Sequence, residues 1–347
     1  MSDPALREAS EADIPAICRL MRRAFPDNAK GHEEILRWQY WENPYGPPVA
    51  WVWDDAGTIV GHHTCIRYAA VVDGKPATVG MGIDAAIDPD YQGRGLLTPL
   101  AKKMYDETGK AGMAYTLSYP NDKSMRGIGR AGWREIGLLR THLLMLDSSW
   151  YAKRAHVPRI AMSGVRLVLR AKRPHGNYVA AETAAPPADV DELWNALEPA
   201  VVNGVIRDST WFDWRYVRRP VVDPTIAPYR YFSTRRDGGL VGVAVTTQRE
   251  QRGGMFTYLL EFLAVDDDAA RSLLQVVARN SADSVGVLLA ALPGTSTSLR
   301  AMAAGLRLVP SRFEEKALHV GVVDNDGSHG DVTQLQWTLG WGDLDHL

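Results

Sequence analysis

The chain has 347 residues, 46% of them hydrophobic and 23% charged, with a formal net charge of −2 at pH 7. Its length favours two domains, and its apolar content is enough for a large core. There is no basic excess for nucleic acid or an anionic membrane, no apolar run of spanning length, and with only Cys18 and Cys65 no disulfide framework or cysteine-rich metal site. The first residues lack a basic segment followed by an apolar one, so a cytoplasmic location is expected.

Taken in chain order, Leu6 to Ala9 reads as a short strand. Ser10 is the N-cap of a helix from Glu11 to about Phe25, with Pro15 in its first turns. A second helix is expected over His32 to Tyr40. Strands follow at Ala50–Trp53, Thr58–Val72 and Ala77–Ile87, the last two joined by an Asp73-Gly74 hairpin turn. After the loop Asp88-Pro89-Asp90-Tyr91-Gln92-Gly93-Arg94-Gly95-Leu96-Leu97 a helical pattern runs from Thr98 to Thr108. Ala114 to Ser118 reads as a buried strand, Asn121 caps a helix ending near Arg130, and a strand from Glu135 to Leu146 closes the unit.

The loop before the third helix carries the strongest chemical signal. A strand, a glycine-bearing turn and a helix start in direct succession leave backbone N–H groups unpaired and aimed at one point, where the helix dipole adds positive charge. That suits a phosphate or diphosphate. Gly93 and Gly95 carry no Cβ to hold a ligand off the backbone, and Arg94 adds a fixed charge. Neither G-x-x-x-x-G-K-[ST] nor G-x-G-x-x-G is present.

The chain also repeats itself. Trp38-Gln39-Tyr40 precedes Pro44 by the same interval at which Trp214-Arg215-Tyr216 precedes Pro220. Each set is followed by a hairpin signal, Asp54 to Gly57 and Arg236 to Gly239. Pro120 stands to Gly132 as Pro293 stands to Gly305. Three coincidences in one order indicate two copies of one α/β unit. The expected division is 1–148, a linker over 149–187 with a basic amphipathic helix at 159–173, and 188–347. In the second copy Asp266-Asp267-Asp268 replaces the glycine loop; these carboxylates suit helix capping and would repel a diphosphate. The second copy is therefore expected to form a wall, a lid or a dimer surface, which leaves a homodimer open.

Gln92-Gly93-Arg94-Gly95-Leu96-Leu97 resembles the Q/R-x-x-G-x-G/A signature of the GNAT superfamily of acyl-CoA-dependent N-acyltransferases. Gln92 and Gly95 match, while Leu97 stands where Gly or Ala is usual. The likeness covers residues 4–148 well and 180–322 weakly. It implies an α/β (α+β) fold of two tandem units, each a mixed, mostly antiparallel sheet flanked by helices. It also implies acetyl-CoA or another acyl-CoA as co-substrate, without a metal. The acyl group would lie between splayed strands Met81–Ile87 and Ala114–Tyr119, its carbonyl polarised by an amide near Ala86 or Ile87. Gln92, Gly93, Arg94, Gly95, Leu96 and Leu97 would bind the diphosphate, and Asn121 and Ser124 would face the pantetheine arm or the sulfur.

The family's N-x-x-A-x-x-x-Y-x-x-x-G-F pattern is matched at Asn121, Gly132 and Trp133, but Ile128 occupies the tyrosine position and cannot donate a proton. Tyr119 is the nearest substitute. Asp84, alone in an apolar strand, needs a partner or a task, and of His62 and His63 one faces inward as a possible base. Glu261 is the analogue of Asp84 in the second copy. The expected acceptor is a small-molecule primary amine held between the units by some of Trp38, Tyr40, Trp214, Tyr216, His62, Asp84 and Glu261. The alternatives are an acyl-CoA-binding sensor, or an aminoacyl or long-chain acyl transferase of related double-unit fold. The aromatic tail Gln336 to Leu347 resembles that of larger two-domain acetyltransferases whose terminal carboxylate enters the active site.

Overall fold

The computed structural model describes residues 3–26, 31–154, 174–223, 225–309, 318–325, 327 and 331–344; the basic stretch 159–173 and the terminal residues 345–347 lie outside them. The first half runs β1 (Ala5–Glu8), α1 (Ile14–Ala24), α2 (Glu33–Tyr40), β2 (Val49–Asp55), β3 (Thr58–Val72), β4 (Lys75–Ile87), α3 (Leu97–Lys110), β5 (Tyr115–Ser118), α4 (Asp122–Arg130) and β6 (Arg134–Met145). There follow α5 (Ser148–Arg154), β7 (Val179–Thr183), α6 (Val190–Leu197), β8 (Asn203–Val205), and α7, a composite of Ser209–Phe212, the π-helical Asp213–Arg218 and Arg219–Val222. The second half continues with β9 (Arg230–Arg236), β10 (Gly239–Gln251), β11 (Gly254–Ala264), α8 (Asp267–Arg279), β12 (Gly286–Ala291), α9 (Ser296–Ala304), β13 (Arg307–Leu308), β14 (Leu318–Asp324) and β15 (Trp337–Thr338).

The main path of the sheet is β1-β2-β3-β4-β5-β14-β6-β12-β11-β10-β9-β7. Read from either end it gives the same pattern: four antiparallel strands, then one parallel neighbour, β4 with β5 and β11 with β12. The hairpin turns match as well. Ala56-Gly57, Asp73-Gly74, Asp237-Gly238 and Arg252-Gly253 all have positive φ at both central residues, the geometry whose twist suits flanking antiparallel strands. Gly132 and Gly305, each following its half's last helix, have φ of 119° and 122°.

Two features differ from the sequence reading. The strand expected to close the first half does not pair with β5. Instead β6 pairs with β12 through Arg140–Met145 and with β14 through Arg134–Leu139, and β14 pairs with β5. The closing strands are thus exchanged across the centre, which leaves no open edge there. The stretch 149–187, expected as a linker, contains β7, which pairs with β9 as β1 pairs with β2. Its short, alanine-rich sequence hides the alternation.

The elements form for ordinary reasons. In α1 the buried residues Ile14, Ile17, Cys18, Leu20 and Met21 recur at helical spacing, and the Ser10 N–H donates to the Asp13 carboxylate at 2.8 Å. Each large apolar side chain so buried is worth about 1.5–3 kcal/mol. The largest core cluster runs through both halves and includes Ile14, Leu36, Tyr68, Leu117, Trp214, Val245, Leu260 and Trp337. Among the described residues no helix is long and apolar enough to cross a membrane.

Candidate active site

β4 and β5 pair at Gly80 with Thr116, Met81 with Leu117 and Gly82 with Ser118, and there the pairing stops. β4 runs on to Ile87 while the chain after Ser118 turns into α4, so the strands open into a V. A bulge lies on the β4 arm. The register with β3 shifts between His62 and Thr64, and Asp84 sits at φ 55°, in the left-handed region. Ala86 and Ile87 lie beyond it on the same arm.

The bulge aims Asp84 towards α2. The Tyr40 hydroxyl donates to Asp84 Oδ2 at 2.5 Å. His62 Nδ1 donates to the Asp84 carbonyl at 3.2 Å, which fixes that tautomer and leaves Nε2 to accept from Thr64 Oγ1 at 2.7 Å. The Tyr40 and His62 rings stack with centroids 5.8 Å apart. Tyr40 and His62 are buried and Asp84 is half-buried. The structure therefore brings together Tyr40, His62 and Asp84 from three elements.

At the mouth of the V, the loop from Asp88 to Leu97 is tied down at its edges and open in its middle. Arg23 bridges Asp88 and Asp90 at 2.7 and 2.8 Å, holding the Asp88 carboxyl below its ordinary range although burial opposes this. Gln92 Nε2 donates to the Ile87 carbonyl at 3.1 Å, Trp53 Nε1 to that of Leu96 at 3.0 Å. The Arg94 guanidinium lies 4.4 Å over the Tyr91 ring. Gly93 and Gly95 have φ of 79° and 77°, and a Cβ on either would meet nothing within 4 Å. Leu97 opens α3 and packs on α4 where Gly127 carries no side chain; a Cβ there would lie 2.8 Å from Leu97 Cδ2. That recess lets a leucine replace the family's small residue. The open cradle fits an acyl-CoA diphosphate.

Asn121 caps α4, its Oδ1 accepting from the Lys123 and Ser124 amides at 3.1 and 3.0 Å, and the Ser124 hydroxyl returns to the Asn121 carbonyl. Ile128 points into a core with Ala101, Met104, Tyr105 and Trp133. The Tyr119 hydroxyl is buried and has no hydrogen-bond partner among the described residues. Burial, then Asp343 and Tyr68, push its pKa far up, so it is a protonated donor.

The other expected acceptor-binding residues have partners of their own. Glu261 is buried and accepts from Arg207 Nε at 3.0 Å, Trp211 Nε1 at 2.9 Å and the Tyr216 hydroxyl at 2.8 Å. Arg207 Nη2 also donates to Asp343 at 2.5 Å. Burial opposes the charge on Arg207, but Asp343 and Glu261 outweigh it. Trp38 stacks on Trp214 at 5.0 Å. Sequence reasoning missed Arg207 and Asp343, which carry no local motif. Among the described residues no group of three His, Cys, Asp or Glu could hold a metal ion.

The family model of the acetyltransferase (GNAT) domain matches residues 5–136. The N-terminal part of this chain is a GNAT acetyltransferase domain. It places the protein among the acyltransferases. Among curated proteins none matches the chain. Solved structures that resemble it include a GCN5-related N-acetyltransferase from Anabaena variabilis, with TM-score 0.68 and 13% identity over 92% of this chain and 72% of that one. A protein of unknown function from Enterococcus faecalis, described as a probable N-acyltransferase, aligns with TM-score 0.64 and 12% identity over 93% of this chain and 73% of that one. A GCN5-related N-acetyltransferase from Kribbella flavida aligns with TM-score 0.62 and 12% identity over 92% of this chain and 71% of that one.

Proposed function

We propose that this protein transfers an acyl group, acetyl in the simplest case, from acyl-CoA to a primary amine of a small molecule by direct attack in a ternary complex. The observation that carries this reading is the pairing of an open glycine cradle with a V whose β4 arm bears a buttressed carboxylate. Amides of Gly93 to Leu97 hold the diphosphate, with Arg94 and Gln92 beside them. The β4 arm at Ala86 and Ile87 offers its edge to the thioester carbonyl, and Asn121 and Ser124 border the pantetheine path. Holding the two reactants in line supplies most of the acceleration. An ordinary thiol, with a pKa of about 8.5, leaves with little acid help, whereas an alkylamine near 10.4 must lose a proton. Asp84 takes that proton, directly or through a water. Tyr40 holds its carboxylate, His62 holds its carbonyl, and Tyr119 donates from the opposite arm.

We further infer two GNAT-like units, the second without donor chemistry. The mirrored strand order and matched turns support this. Acidic side chains replace the cradle, since Asp266 caps α8 and Asp267 and Asp268 pair with Arg271. Calorimetry with acetyl-CoA, followed by thiol release over a panel of amines, tests the proposal. Binding with turnover supports it, binding without turnover indicates a sensor, and no heat with any coenzyme A species overturns it.

A further inference from the structure

Three buried polar side chains that the proposed mechanism does not use meet on the α3 face of the V. His63 on β3, Ser118 at the end of β5 and Tyr105 on α3 are each almost wholly buried. The Tyr105 ring stands edge-on to His63 at 5.9 Å, and its hydroxyl lies beside Ser118 and Cys65. Among the described residues Ser118 Oγ, the Tyr105 hydroxyl and His63 Nδ1 complete no well-formed hydrogen bond, although Tyr105 and Ser118 are near enough to interact. Around them the wall is apolar: Ala101, Met104, Met113 and Ile128. Leaving a buried polar atom unsatisfied is costly, so three together call for a partner.

Their position shows what that partner touches. Cys65, Gly82 and Ser118 form one row across the sheet, the last before the strands part. Gly82 leaves a notch in that row: a Cβ there would meet Thr116 Cγ2 at 3.3 Å and Ser118 Cβ at 3.5 Å, close but not overlapping. Resting on the acyl-CoA reading, we propose that the vertex of the V takes the far end of a short acyl group that carries a neutral oxygen, a hydroxyacyl thioester, held by Ser118, Tyr105 and His63. All three groups are uncharged. Burial pushes His63 down to about 3 and raises Tyr105. A dicarboxylic acyl group would bring a carboxylate against this buried, largely apolar wall, and a plain hydrocarbon would leave its polar atoms without a new partner.

The test is calorimetric affinity of the full chain for free coenzyme A and for butyryl-, 3-hydroxybutyryl- and succinyl-CoA. The hydroxylated donor should bind at least about tenfold more tightly than butyryl-CoA, with succinyl-CoA weakest. Ser118→Ala and Tyr105→Phe should each erase most of the preference without altering affinity for free coenzyme A, which also reports that the variants are folded. Gly82→Ala, which fills the notch, should weaken the four-carbon donors and spare free coenzyme A. Equal affinity for butyryl- and hydroxybutyryl-CoA, as when the three groups hold a sealed water, overturns the inference and leaves the acyl-CoA reading standing. Failure to bind free coenzyme A overturns the reading beneath it.

Discussion

Gly95 offers the sharpest perturbation, because the free protein and the ligand-bound one should respond differently to it. Its φ of 77° is left-handed, and a Cβ there meets no atom within 4 Å. Gly95→Ala therefore adds backbone strain of about 1–2 kcal/mol and no clash. Gly95→Glu adds the same strain and a carboxylate facing the space assigned to the diphosphate. Two unit charges about 6 Å apart repel by about 0.7 kcal/mol in water and about 3 kcal/mol at an effective dielectric constant of 20. Gly95→Glu should thus bind acetyl-CoA about 3- to 100-fold more weakly than Gly95→Ala, the strain cancelling between them, and the gap should narrow in high salt. Gly238 is a matched control, with φ 85° and equally open space in a hairpin of the second half. Gly238→Glu should lose stability but not affinity. Calorimetry at two salt concentrations with thermal melts decides it. Wild-type affinity in Gly95→Glu, or equal loss in Gly238→Glu, refutes the assignment of the loop.

Three further outcomes follow from other contacts. Asp84→Asn keeps the Tyr40 hydrogen bond but removes the base; kcat should fall by about 10²- to 10⁴-fold with donor affinity unchanged, measured as thiol release at saturating amine. Arg207→Leu strands two carboxylates, Glu261 and Asp343, whose side chains are 5% and 0% exposed; denaturant titration should register a loss of about 3–5 kcal/mol, partly restored by adding Glu261→Gln and Asp343→Asn. The Arg7 hydrogen bond chiefly lowers Asp13 from 3.8 to about 2, with burial opposing it. A lowered carboxylate stabilises above its unfolded pKa and stops doing so as pH falls through the folded one. Arg7→Gln should therefore flatten the acid loss of stability between about pH 4 and about pH 2, by about 1 kcal/mol given the exposure of Arg7.

What could be read from the residues follows from how local each signal is. Asp73-Gly74 announces a hairpin because only a few residue pairs tolerate positive φ twice, and the structure has it. The glycine loop was legible because a strand, a turn and a helix start are consecutive in the chain. Asp84 drew notice as a carboxylate among apolar neighbours, but the Tyr40 hydroxyl that holds it is 44 positions away and gives no local sign. Arg207 was invisible for the same reason: its carboxylate partners are 54 and 136 positions off. The exchange of β6 and β14 was illegible in principle, since alternation marks a strand and its buried face, not the neighbour it pairs with.

The two places where parallel strands part differ in what lies against them. In the second, β11 and β12 stop pairing after Leu259 and Leu289, and the bulge beside Glu261 falls where the first has Asp84. There, however, the C-terminal segment occupies the space. Gly340 bridges to Ala291, and a Cβ on Gly342 would come within 2.8 Å of the Leu260 carbonyl. Arg207, itself bound to Asp343, joins Trp211 and Tyr216 on the Glu261 carboxylate. That carboxylate accepts three hydrogen bonds, one of them from the Arg207 cation. Asp84 is half-buried and accepts from the Tyr40 hydroxyl on one oxygen. On β11 the carboxylate ties the C-terminal segment to the sheet through Arg207 and Asp343, whereas on β4 it is held by Tyr40 of α2.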